Sequence, residues 1–262
     1  MESVINVPSP VQLKNWKKLM LEKYRRRNGM FLAEGEKVVG ELLQSAWPVR
    51  EILVRDDRVN WVQRNMARVP GGVSIFRLTG RQWEAFSQDP SPEGVIAIAS
   101  RPPEAPLADE LASARGPLLL LYQINNPLNL GALLRTACWF GFSLVILSKD
   151  SCEATNPKAV RASMGSLFHL KVIEDVELED VLDDIKGRFF LVGSDVRQGV
   201  IPHPCNPKTA LLLGSESHGL PEMLLKRTDE TWNIPGAGGG ESLSLPQAGA
   251  IMMYECVRKG VM

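Results

Sequence analysis

Three short stretches carry the residues best equipped for chemistry. "NNPLNLGALLRTACWF", Asn125 to Phe140, sets amides ahead of an apolar segment whose single charge is Arg135. "LLLGSESHG" at 211–219 ends a leucine run on a glycine and then offers Glu216 and His218. "NIPGAGGGESLSLP" at 233–246 is a glycine-rich loop that closes on Glu241, Ser242 and Ser244. Each stretch follows a strand-like run. In a parallel α/β sheet such loops gather at the carboxyl edge, where open sheets place ligands. The plainer alternative is that each glycine only turns the chain; three loops together favour a site.

The glycines do not fit the common nucleotide designs. No GxGxxG follows the first strand and no GxxxxGK[ST] occurs, so neither a pyrophosphate cradle nor a Walker lysine is present. "GAGGGES" lies near the C-terminus after a short extended piece, where glycines allow close backbone approach to a flat or sugar-bearing ligand. His169, His203 and His218 have no metal-ligand spacing, and no metal site is expected. His169 reads as part of a strand and His203 as loop surface, while His218 is a candidate for substrate contact. Cys138, Cys152, Cys205 and Cys256 form no CxxC pair and read as scattered, reduced thiols.

These loops need elements to hold them. Ser9-Pro10 can open a helix in which Leu13, Trp16, Met20 and Tyr24 repeat at three or four residues, running to near Gly29. Lys14, Lys17, Lys18, Arg25, Arg26 and Arg27 make this region basic, either as a solvated helix face or as a contact for RNA phosphates. Strands at "MFLAEG", "REILVRD", "GGVSIFRL" and "EGVIAIAS" alternate with helices at "EKVVGELLQSA", "NWVQRNMARV" and "TGRQWEAFSQ", which makes residues 1–100 a small α/β unit. Pro and Ala crowd 101–116, the expected linker. Residues 117–262 form the second unit, opening on "PLLLLYQI", whose unbroken apolar character fits a parallel strand covered on both faces. Its helix at 130–140 is followed by "SLVILS", a helix capped by Asn156-Pro157, a strand at "LFHLKVI", the acidic helix "ELEDVLDDIK", three further strands and a closing helix.

Thirty Lys and Arg balance thirty Asp and Glu, so no global charge announces a nucleic-acid partner. No membrane-length apolar run or leader pattern is present, and the chain reads as a cytoplasmic protein.

The three motifs closely resemble those of the SpoU (TrmH-type) RNA 2'-O-ribose methyltransferases of the SPOUT class. Asn129, Gly131, Leu134, Arg135, Thr136 and Ala137 match the first, and Gly214, Glu216, Gly219 and Leu220 the second. Ile234, Pro235, Glu241, Ser242 and Leu243 match the third. "RRNGMFLAEGEKVVGELL" and "SPEGVIAIA" are similar to the substrate-binding domain that often precedes them. The resemblance implies a small L30e-like α/β substrate-binding domain followed by a parallel-sheet SPOUT domain with a deep trefoil knot. It also implies a homodimer, S-adenosylmethionine as cofactor, and structured RNA as substrate, rRNA before tRNA. By position, Leu213, Gly214, Ile234 and Leu243 would contact the cofactor.

The same resemblance assigns Arg135, Asn129, Glu216 and Ser242 to catalysis, with Arg135 proposed as the base in relatives. A guanidinium is a poor base in water, so Arg135 either loses its proton with help from its surroundings or orients the nucleophile and steadies negative charge. One turn beyond Gly131, it is expected to face the strand end. Asn129 has backbone, Arg135 or RNA as partners, or simply satisfies its turn. Glu216 holds the arginine, a loop N–H or the cap of the next turn; Ser242 bonds substrate or caps the last helix. Ser244 stands where family members commonly carry Asn. A fold retained by a non-catalytic RNA-binding protein is the rival reading, and an NAD-dependent oxidoreductase follows only from generic α/β alternation.

Overall fold

The computed structural model describes residues 5–87, 91–239 and 242–258. It divides into two compact units: Met1–Pro103 with Thr155–His169, and Glu104–Ala154 with Leu170–Met262.

In the first unit, β1 (Ile5–Asn6), β2 (Met30–Glu34), β3 (Val49–Arg55), β4 (Ser74–Leu78) and β5 (Val95–Ser100) form a mixed sheet in the order β1-β4-β3-β5-β2. β5 runs antiparallel to both β2 and β3, while β4 lies parallel to β1 and β3. Trp16, Phe76, Trp83, Phe86, Leu32 and Ile96 belong to one buried cluster.

The single helix expected from Ser9-Pro10 to Gly29 is two: α1 (Pro10–Lys18) and α2 (Glu22–Asn28). Ser9 caps α1 reciprocally with Gln12, and α2 stops at Gly29, which takes φ +60°. The break between them is held by Arg25, which corrects its assignment to the RNA-facing set. Arg25 is 4% exposed, and its Nη1 donates to the carbonyls of Leu19 at 3.0 Å and Met20 at 2.9 Å. Those carbonyls lost their helical partners where α1 ends, so a buried guanidinium is used inside the fold.

Helices α3 (Glu36–Leu42), α4 (Val59–Asn65) and α5 (Gly80–Trp83) follow β2, β3 and β4. The helix expected at "TGRQWEAFSQ" is one turn, α5, capped by Thr79 and Gln82. The segment 155–169 completes this unit. Phe168 packs against Phe31 and Trp47 with ring centroids 6.2 and 5.4 Å apart. The strand expected at "LFHLKVI" begins only at Val172. Met164 and Gly165 take φ +52° and +89°, and Ser166–His169 forms a 3-10 turn, so His169 sits in a turn and pairs with Glu41 at 2.9 Å.

The second unit opens with α6 (Leu107–Ser113), β6 (Leu118–Leu121), α7 (Pro127–Trp139) and β7 (Leu144–Ser148). α8 (Pro157–Ala162), in the 155–169 segment, precedes β8 (Val172–Val176), α9 (Leu178–Lys186), β9 (Phe190–Ser194), β10 (Thr209–Leu213), α10 (Glu222–Leu225), β11 (Glu230–Trp232) and α11 (Leu245–Val257). The sheet order is β11-β9-β10-β6-β7-β8, parallel throughout. β6, β7 and β10 are buried at every residue, as their uninterrupted apolar runs require. One face, with Leu118, Leu120, Leu144, Ile146 and Leu212, packs on Leu178, Leu182 and Ile185 of α9. α7 and α11 pack together, and α11 meets β10. Among the described residues no helix is long and apolar enough to cross a membrane.

Candidate active site

The chain runs outward from β6 to β7 and β8, then returns to β9 and inserts β10 between β9 and β6. That reversal makes the carboxyl ends of β6 and β10 a topological switch point, with a crevice between loops that diverge. The Tyr122 N–H donates to the Leu213 carbonyl at 2.9 Å, fixing the two strand ends side by side.

Beyond β6, Asn126 caps α7 by accepting from the Leu128 N–H at 2.9 Å, and Pro127 fills its first turn. Asn129 is thereby left free of the turn. Its Nδ2 donates to Glu216 Oε1 at 3.0 Å, a bond across 87 positions that joins the first motif to the second. Neither residue is among the partners expected for the other; the structure pairs them directly. Beyond β10 the chain doubles back at once. Gly219 N–H donates to the Ser215 carbonyl at 3.0 Å, and a Cβ on Gly214 would lie 2.2 Å from the Gly219 carbonyl carbon. Only glycine fits there, and the tight turn is what presents Glu216 to α7.

The third loop is fixed at both ends. Asn233 N–H donates to the Val200 carbonyl at 2.9 Å, and Asn233 Nδ2 to the Asp195 carbonyl at 3.0 Å. At the far end Ser244 caps α11 with Gln247 in a capping box, Pro246 standing in the first turn. Gly249 lies against Leu133 of α7 and Leu213 at the end of β10, where a Cβ would come within 2.6 and 3.1 Å of their methyls. Cys256, at the other end of α11, meets Cys205 ahead of β10, so α11 starts at the carboxyl edge and runs back along the strand. The loop therefore crosses that edge from β11, two strand positions and about 10 Å from β10, to the start of α11. Ile234 is half-buried, and Ser242 and Leu243 are exposed. Glu241, the glutamate of the third motif, lies outside the described residues.

Arg135 departs from expectation. It is exposed on the outer side of α7 and has no hydrogen bond or ion pair among the described residues. It shares that side with Leu128 and Trp139, seven residues before and four after, and Glu216 is occupied by Asn129. His218 is also exposed, with its N–H on the Ser215 hydroxyl at 3.3 Å.

Residues without a motif complete the edge. Gln123 takes φ +52°, with its N–H on the Ser148 hydroxyl at 2.7 Å. Ile124 N–H reaches the Ser151 hydroxyl at 3.2 Å, and its carbonyl accepts from Cys152 N–H at 2.7 Å. These hydroxyls clamp the loop after β6 to the loop after β7. Burial, reinforced by the charges of Glu216, Glu174 and Glu153, pushes the Cys152 thiol up to about 12. No spacing in the sequence marks Cys152 or the two serines. Among the described residues no group of His, Cys, Asp and Glu is placed to hold a metal ion.

If the Asn129–Glu216 bond orients the site, Asn129→Ala should lower methyl transfer about tenfold to a hundredfold while Glu216→Gln, which can still accept, loses less. Steady-state rates on RNA check this, and equal losses in the two variants would contradict it.

The residues match the family model described as SpoU rRNA Methylase family over 116–254, and the MRM3-like substrate binding domain over 11–97. The chain belongs to the SpoU rRNA methylase family. It is 32% identical to the 23S rRNA (guanosine(2553)-2'-O)-methyltransferase RlmP of Bacillus subtilis (strain 168), over 93% of this chain and 94% of that protein. The SpoU methyltransferase AviRb from Streptomyces viridochromogenes, solved in complex with AdoMet, superposes with a TM-score of 0.82 at 25% identity, covering 95% of this chain and 97% of that one. The AdoMet-bound rRNA methyltransferase from Sinorhizobium meliloti gives a TM-score of 0.79 at 25% identity, covering 97% and 96%.

Proposed function

We propose that this chain transfers a methyl group from S-adenosylmethionine to a ribose 2'-hydroxyl of structured RNA, with rRNA as the target class. The observation that carries the reading is the joining of Asn129 to Glu216 at the switch point, beside a third loop that crosses the same edge. The cofactor fits what is present. Ile234 and Leu243 offer apolar surface to adenine, and Leu213 and Gly214 bring backbone to the crevice, with the Glu216 carboxylate in the same turn. The cofactor supplies an electrophilic methyl carbon. The protein's part is to align the 2'-oxygen, exclude competing orientations and steady negative charge as the hydroxyl proton leaves. Arg135 takes the last role, and Asn129 with Glu216 holds the helix that carries it. Ser244 is engaged as an N-cap, which accounts for a serine at that position; Ser242 remains available to substrate.

Incubation of the full chain with unmodified rRNA and methyl-labelled cofactor tests the reading. Label should appear next to an alkali-resistant phosphodiester. Label confined to bases, or transfer only to tRNA, would overturn the reaction or the target class respectively, and no transfer with intact cofactor binding would favour the RNA-binding protein.

RNA docking is assigned to Lys14, Lys17, Lys18, Arg26 and Arg27, leaving out Arg25. Tyr24 supports this face: the charges of Lys23, Arg27 and Lys18 lie 5.0, 5.2 and 5.7 Å from its ring centre, a combination of cations and aromatic surface suited to phosphate and base. Replacing Lys14, Lys17 and Lys18 by alanine should raise the RNA KM and flatten its salt dependence by about one unit of log slope per lost phosphate contact. An unchanged salt slope in a filter-binding titration would remove this face from the RNA interface.

The working form is assigned as a homodimer through α7 and α11. Trp139 is 83% exposed and Leu128 55%, while Ile251 and Tyr254 of α11 are exposed as well. Around Arg135 the outer side of α7 exposes the large apolar side chains of Leu128 and Trp139, which calls for cover there as well as on the inner side. A second copy would bury these residues and carry Arg135 into the interface. Trp139→Glu should yield monomer in sedimentation and lose transfer; a fully active monomer would contradict the assignment. The trefoil knot belongs to the same reading, supported by β10 lying between β6 and β9 and by α11 returning onto α7. An experimental chain trace that leaves residues 233–258 unthreaded would exclude it.

A further inference from the structure

Away from the methyl-transfer loops, the structure brings together two cysteines that lie far apart in sequence. Cys205 N–H donates to the Cys256 carbonyl at 3.1 Å. Such a bond holds the two backbones side by side, the proximity that a disulfide requires. The two thiols are near enough to influence each other's titration, and the Cys205 thiol donates to the His203 carbonyl at 3.5 Å. Cys256 is buried at 2% exposure, whereas Cys205 is half-buried in the loop ahead of β10.

We infer that Cys205 and Cys256 form an oxidisable dithiol, in which Cys205 reacts with a hydroperoxide and Cys256 resolves it to a disulfide. Three features divide the roles. Access belongs to Cys205. The neighbouring Cys256 thiol, with the charge of His203, outweighs burial and draws the Cys205 thiol below its ordinary value, which favours the reactive thiolate. Cys256 is pushed up by its Cys205 neighbour and by burial, which keeps it protonated until its partner is oxidised. A metal does not account for the pair: His203 turns its ring nitrogens to Glu230 at 2.7 Å and the Pro204 carbonyl at 3.1 Å.

The chemistry closes without further reactants. The Cys205 thiolate attacks the hydroperoxide, an S–O bond forms as the O–O bond breaks, and hydroxide or alkoxide leaves. Cys256 sulfur then attacks the Cys205 sulfenic acid; the S–S bond forms, the S–O bond breaks, and water leaves with the Cys256 proton. Two thiols are oxidised and one peroxide is reduced. The product ties the last turn of α11 to the loop before β10, closing a loop of roughly 50 residues and restraining α11 against the sheet.

The test treats the reduced full chain with limiting hydrogen peroxide at neutral pH, alkylates the remaining thiols and maps them by mass spectrometry. A peptide pair linking Cys205 to Cys256 is expected, with Cys152, whose thiol is held up near 12, still alkylated. Cys205→Ser should leave Cys256 reduced. Cys256→Ser should accumulate a sulfenic acid on Cys205 that a cyclic dione traps. Because Cys256 is in the core, the wild-type crosslink stands as an independent readout should that variant misfold. Oxidation of Cys138 or Cys152 ahead of Cys205, or oxidation of Cys256 at the wild-type rate in Cys205→Ser, would overturn the inference. Neither result depends on RNA or methyl transfer.

Discussion

Arg135→Ala should reduce methyl transfer to RNA by about 100- to 1000-fold, the usual effect of removing one group that stabilises developing negative charge. S-adenosylhomocysteine affinity, measured by calorimetric titration, should stay where it is, because Arg135 lies on the outer side of α7 rather than among Leu213, Gly214 and Ile234. Arg135→Lys separates the two chemical roles left open by the sequence. If charge alone steadies the nucleophile, lysine recovers much of the rate; if the planar fork must hold ribose and phosphate together, it recovers little. Turnover unchanged in the alanine variant would reject any catalytic part for Arg135. The same variant in a mixed dimer with an otherwise inactive subunit reports whether the guanidinium serves its own protomer or its partner.

Gly214→Ala should be the most damaging small substitution in the second unit. The added methyl would fall 2.2 Å from the Gly219 carbonyl carbon, 2.4 Å from its oxygen and 2.4 Å from Leu220 nitrogen. These are backbone atoms of a turn tied by the Ser215–Gly219 bridge, so the neighbour cannot swing aside as a side chain would. The cost falls at the upper end of overpacking, about 3 kcal/mol, or a melting midpoint lowered by roughly 6 to 12 °C. Cofactor affinity should fall with it, since the turn that shifts is the one that holds Glu216 against Asn129. Gly219→Ala is the control: there a Cβ meets nothing within 4 Å, and only the strain of φ +67° remains, on the order of 1 kcal/mol. Equal midpoints for the two variants would show that the close approach is not what fixes glycine at 214.

Most of the parallel unit was legible because its strands are apolar without interruption and its helices carry their own stops. Asn156-Pro157 and Ser244 with Pro246 mark helix starts by local chemistry that tertiary contacts did not alter, whereas α7, expected from residue 130, starts three residues earlier, at the Asn126-Pro127 cap. The side of α7 taken by Arg135 was not legible for the opposite reason. Leu130, Leu133, Leu134 and Ala137 face inward while Leu128 and Trp139 face out, so the apolar pattern has no stripe to orient the helix. Arg25 misled similarly: within a run of basic residues nothing distinguishes the one whose guanidinium the fold needs for stray carbonyls. The 155–169 segment packs with the first unit although it lies between two strands of the second, a contact that no local signal encodes. The meeting of Cys205 with Cys256 likewise depends on α11 running back along β10.

The most direct measurement of the central claim is a crystal structure of the full chain with S-adenosylhomocysteine bound. The ligand is expected at the carboxyl edge of the parallel sheet, its adenine between Ile234 and Leu243, with Leu213 and Gly214 contributing backbone contacts. Ligand bound on any other surface, or a crevice between β6 and β10 left without it at saturating concentration, would show that these loops do not form the cofactor site.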